Sequence, residues 1–121
     1  PISTKALSKL ISNMLFNRRM MPLLMETVGG GYDADGPSLY SMDLAGSLIP
    51  DDFLAAGSGA QIAIGVLEAD YSKDLDCEAG AELAKKAIKS AIARDAVSGD
   101  GIDILIFRAS GAEEQTLSLR E

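Results

Sequence analysis

Ser58 stands between two glycines, Gly57-Ser58-Gly59, just ahead of a segment with helical apolar spacing. Asp95 and Ser98 share the run Arg94-Asp95-Ala96-Val97-Ser98-Gly99. Hydroxyls and a carboxylate can orient a reacting group and relay its protons, but they need a nucleophile and a base to serve. The 121 residues contain no histidine, which excludes Ser-His-Asp and Cys-His mechanisms and histidine-rich metal sites within this chain. Nucleophilic chemistry would need another base, such as a lysine or an N-terminal amine. Taken alone, Gly57-Ser58-Gly59 reads as the N-terminal turn of a helix. As a phosphate nest it lacks a following lysine and the P-loop spacing. Asp95, at a helix end, would pair with Arg94 or cap a local turn.

The remaining polar candidates are weaker. Asp43 is a polar residue on a half-buried strand. Asp33, Asp35, Asp51 and Asp52 lie in turns without the ligand spacing of a calcium loop. Tyr71 and Cys77 read as packing residues. A single cysteine cannot form an internal disulfide and suits a reducing cytoplasm. Neither a metal nor a cofactor is called for.

The elements that must position these residues follow from periodicity and punctuation. Ser3 can cap a first helix running to about Arg19, with Leu7, Leu10, Ile11, Met14 and Leu15 as its apolar stripe. Its cations Lys5, Lys9, Arg18 and Arg19 read as a solvated face. Pro22 stops it. Leu23 to Val28 reads as a strand, Gly29-Gly30-Gly31 and Asp33 to Pro37 as the turn, and Leu39 to Leu44 as the returning strand. Phe53 to Ala56 reads as a third strand, and a second helix spans Ala60 to Tyr71. Asp76 can cap a third helix reaching about Asp95, with Leu83, Ala84, Ala87, Ile88, Ala91 and Ile92 inward and Glu82, Lys85, Lys86 and Lys89 outward. Ile102 to Phe107 is apolar on both faces and suits a doubly covered strand. A short last strand falls near Thr116 to Leu119. Helices grouped apart from strands indicate α+β packing, with 1–121 as one partial domain.

Composition bounds the function. A formal charge of −7 argues against nucleic acid as a partner. No run approaches the ~20 apolar residues of a membrane span, and no signal peptide is expected at Pro1.

Four stretches, in order, resemble the archaeal-type 20S proteasome β-subunit family. They are Leu39-Tyr40-Ser41-Met42-Asp43, Gly57-Ser58-Gly59-Ala60, Gly65-Val66-Leu67-Glu68 with Tyr71 behind it, and Arg94-Asp95-Ala96-Val97-Ser98-Gly99-Asp100-Gly101-Ile102-Asp103. Ser12-Asn13-Met14-Leu15 and Val28-Gly29-Gly30 also fit. The resemblance implies a four-layer αββα sandwich, the N-terminal-nucleophile hydrolase fold. This chain would hold part of it, lacking the N-terminal strands and first helix. It implies a threonine endopeptidase whose terminal hydroxyl attacks the peptide carbonyl while its own α-amine acts as base. That threonine, an early aspartate and a lysine have no counterpart here, and Thr4 is not a substitute, because it lies within a helix start. The chain by itself is therefore expected to be inactive.

The resemblance further implies that Ser58, Asp95 and Ser98 support the nucleophile's amine, and that Asp43 shapes the substrate pocket of a neighbouring subunit. Implied partners are other β-subunits in a seven-membered ring, an α-subunit ring and unfolded polypeptides, in the cytoplasm. The alternatives are a non-catalytic β-subunit filling ring positions, and an unrelated α+β domain using Gly57-Ser58-Gly59 as an anion nest.

Overall fold

The computed structural model describes residues 2–17, 27–42, 47–95, 99 and 101–118. They form three helices and two antiparallel sheets, the mixed helix-and-sheet content expected of a part of the αββα fold. The chain groups into two compact units, one of Pro1–Ala56 with Phe107–Ala109 and one of Gly57–Ile106 with Ser110–Glu121. None of the described helices is long and apolar enough to cross a membrane.

The first unit lays helix α1 (Thr4–Asn17) on a sheet of β1 (Thr27–Asp33), β2 (Gly36–Met42) and β3 (Leu48–Pro50), in that spatial order. Ser3 Oγ accepts the Ala6 N–H at 3.0 Å, the expected cap. The face that α1 turns to the sheet is not the expected apolar stripe. Ser8 and Ser12 are buried, whereas Leu7, Leu10 and Met14 are about half exposed. Close approach explains the choice. Glycines on the facing strand leave no side chain in the way, so small polar residues at i, i+4 and i+8 come down onto backbone.

The same contact corrects the hairpin. Gly29, Gly30 and Gly31 belong to β1, paired with Tyr40, Leu39 and Ser38, and the turn is confined to Ala34-Asp35. A Cβ on Gly29 would lie 2.8 Å from Ser8 Oγ, and one on Gly31 would lie 2.8 Å from Thr4 Oγ1. These glycines therefore serve close packing as strand residues. β3 pairs with β2 through Tyr40 with Pro50 and Met42 with Leu48, so the third strand precedes Phe53–Ala56 rather than occupying it. Residues 23–26, 43 and 44, at the ends of the expected strands, lie outside the described residues.

In the second unit helices α2 (Ala60–Asp70) and α3 (Cys77–Arg94) pack on each other, and β4 (Gly101–Arg108), whose residues from Phe107 on group with the first unit, pairs with β5 (Gly111–Ser118). Asp76 caps α3, its Oδ1 accepting the Ala79 N–H at 2.8 Å. Leu83, Ala87 and Ala91 are buried as the periodicity predicts, but Ile88 is exposed. The core is Ile102, Ile104 and Ile106, packed by Ala81, Ala84, Ile92 and Leu117. β4 has one covered face: Leu105 is 60% exposed and Phe107 45%, against an expectation of cover on both sides. β5 is longer than expected, starting at Gly111, whose φ of +128° suits glycine directly after the tight turn. Tyr71 is half-buried, as a packing residue should be; Cys77 is instead exposed at the first position of α3.

Candidate active site

The turn that carries Ser58 is built from glycine. Gly57 adopts φ +108°, a conformation that L side chains rarely take, and the Ala60 N–H closes the turn onto the Gly57 carbonyl at 3.2 Å. Gly59 is the N-cap residue of α2, and no side chain caps that helix. Ser58 precedes that N-cap, so its hydroxyl is not committed to the helix end.

Its Oγ donates instead to Oδ2 of Asp95 at 2.5 Å, across 37 positions of chain. Asp95 sits at the opposite kind of helix end. It is the C-cap of α3, with extended backbone (φ −104°, ψ 118°) and its N–H bonded to the Ala91 carbonyl at 2.8 Å. A carboxylate at a helix C-terminus gains no help from the helix dipole, whose negative end lies there. A charge-assisted hydrogen bond from a hydroxyl compensates. The start of α2 and the end of α3 thus bring a hydroxyl and a carboxylate together inside one compact unit.

Chemically the pair is a positioning device. Aspartate takes the Ser58 proton in a hydrogen bond, which leaves the oxygen lone pairs of Ser58 available to accept from another donor. Such an arrangement suits the orientation of an amine and the relay of its protons. It is poorly suited to an anion, because the Asp95 carboxylate puts negative charge beside the turn; this argues against the anion-nest alternative. Ser98 and Asp43 lie outside the described residues.

Residues outside the pair have structural roles. The N–H of Thr4 is a peptide donor bonded to Asp33 Oδ2 at 2.8 Å, in keeping with its place inside a helix start. Asp33 was legible only as a turn residue; its Oδ1 accepts the Asp35 N–H at 2.8 Å, while its second oxygen anchors the first turn of α1. Backbone donors, Thr4 foremost, hold its carboxyl below the ordinary value of 3.8.

Comparison with known proteins decides the family. A family model described as "Proteasome subunit" matches residues 1–107. The chain belongs to the proteasome subunit family. It is 50% identical over 119 residues to "Proteasome subunit beta 2" of Caldivirga maquilingensis, covering 98% of this chain and 60% of that relative. It is 47% identical over 123 residues to "Proteasome subunit beta 1" of Hyperthermus butylicus, covering 98% and 60%. "Proteasome subunit beta 2" of Thermofilum pendens is 45% identical over 114 residues, covering 94% and 56%. This proteasome-family chain therefore spans about 60% of the length of the curated relatives it matches, and its likeness is to β-subunits.

Proposed function

We propose that this chain is part of a β-subunit of the proteasome core, and that the complete subunit is a threonine-type endopeptidase acting on unfolded polypeptides. The observation that carries the reading is the Ser58 hydroxyl on the Asp95 carboxylate. In this reading the pair, with Ser98, orients the α-amine of a terminal threonine. That amine takes the proton as the threonine hydroxyl attacks the peptide carbonyl, and later returns it to the leaving amine. Two hydroxyls and a carboxylate around an amine direct it and relay its protons, while an α-amine by its own nature titrates near neutral pH, at about 7.7–8.0.

Asp43 would reach the substrate cleft of a neighbouring subunit and favour basic or hydrogen-bonding side chains. Other β-subunits in a seven-membered ring and an α-subunit ring would enclose the site, in the cytoplasm. The 121 residues alone would supply positioning groups without a nucleophile, so they should not cleave fluorogenic peptides. Turnover by this polypeptide that is sensitive to a boronate inhibitor would overturn that part of the reading.

A non-catalytic β-subunit that only fills ring positions is the second reading. Filling a ring position does not require a hydroxyl to reach a carboxylate across 37 positions of chain, and this favours the peptidase. The complete coding sequence discriminates directly. A threonine exposed by cleavage of a propeptide, followed by a lysine, supports the enzyme, and their absence supports the scaffold.

A further inference from the structure

Among the described residues three glycines take positive φ: Gly36 at +96°, Gly57 at +108° and Gly111 at +128°. Two have a plain cause. Gly36 opens β2 and Gly111 opens β5, each directly after a tight turn between paired strands. Gly57 joins no strands. It stands three positions ahead of α2, and entry to a helix calls for no residue of positive φ. Nor does packing call for a glycine, since a Cβ there would meet nothing within 4 Å. Conformation alone reserves the position, because an L side chain is strained at this φ whatever the space.

The conformation has a use at the next residue. An ordinary helix entry places a serine at the N-cap in extended backbone, where its oxygen accepts from the first turn. α2 departs from that pattern: its N-cap is Gly59, at φ −95° and ψ 11°. The Gly57 carbonyl accepts the Ala60 N–H at 3.2 Å, so residues 57–60 form a closed turn with Ser58 as its second residue. Turning Gly57 to negative φ would redirect the peptide unit that leads into Ser58, while α2 stays packed on α3. The Ser58 hydroxyl would then swing away from Oδ2 of Asp95, which it reaches at 2.5 Å.

We infer that Gly57 is a positioning residue for peptide hydrolysis: its positive φ holds Ser58 one position outside the helix cap, where the hydroxyl reaches Asp95. This rests on the reading of that pair as the support of a reacting amine. The test uses particles assembled from the complete subunit, comparing wild type, Gly57→Ala, Ser58→Ala and the double variant. Gly57→Ala should lower kcat for a peptide substrate about tenfold, with KM within about twofold and assembly unchanged. In the Ser58→Ala background the same substitution should cost less than about twofold, because it acts through Ser58. Gly57→Asn should keep several times the rate of Gly57→Ala, since asparagine bears positive φ better than other L residues. Carried through the same two backgrounds, Gly57→Asn decides the matter should Gly57→Ala fail to assemble. Hydrolysis by Gly57→Ala at the wild-type rate would overturn the inference, as would an equal loss in both backgrounds. Ser58→Ala particles that hydrolyse peptides like wild type would overturn the reading of the pair itself, and the role of Gly57 with it.

Discussion

The Thr4 N–H lies 2.8 Å from Oδ2 of Asp33, so the tip of the β1–β2 hairpin supplies the acceptor for the first turn of α1. An acidic side chain at a helix N-terminus satisfies a free donor and complements the dipole together. The Asp33 carboxyl is held below 3.8 chiefly by Thr4, then by the Asp35 N–H. A depressed carboxyl contributes stability that is fully present above the unfolded value and is lost as pH falls through the folded one. Asp33→Asn should therefore lower the melting temperature at pH 7, and the gap from wild type should be narrower at pH 3, below the ordinary value of 3.8. Thermal melts at both pH values check this; an equal gap at both would contradict it.

The glycines of β1 and those of the helices should respond in opposite directions. Gly31→Ala and Gly29→Ala each bring a Cβ to 2.8 Å from a side-chain oxygen of α1, and Ser8 is too buried to move aside. Each should cost about 1–3 kcal/mol. A Cβ on Gly65, in the exposed middle of α2, meets nothing within 4 Å, so Gly65→Ala should add about 0.5–1 kcal/mol. Urea titration of the three variants tests the pattern.

Adjacent residues of β4 should behave unlike one another. Ile104 is buried in the second unit's core, and Ile104→Ala should cost about 2–5 kcal/mol. Leu105, 60% exposed on the other face, should cost less than about 1 kcal/mol when replaced by alanine. Comparable losses at both positions would mean that the outer face is also covered.

Much of this arrangement was legible in the residues. Asp76 and Ser3 announced their helices because a capping side chain acts within three residues of itself. α2 and α3 were located by periodicity. Several of the failures involve partners distant in sequence. Apolar spacing marked the Leu7–Leu10–Met14 stripe as the inward side of α1, yet the glycines of β1 draw in Ser8 and Ser12 instead. The same glycines read as a turn, because their use as a packing surface appears only once a helix lies on them. Apolar residues on both sides of β4 implied two covers, which local pattern cannot supply. The pairing of Ser58 with Asp95 was likewise invisible to spacing and came only through resemblance to a family, since neither residue's neighbours hint at the other.

That pairing is the point on which the functional account stands, and particles assembled from the complete subunit test it most directly. Asp95→Asn keeps the shape but weakens the acceptor of the Ser58 proton, and Ser58→Ala removes the donor. Peptide hydrolysis should fall by at least about tenfold in each, with assembly unchanged. The double variant should be little worse than either single one, as expected of groups that act as a unit. Assembled particles carrying Asp95→Asn that cleave peptides at the wild-type rate would contradict the account.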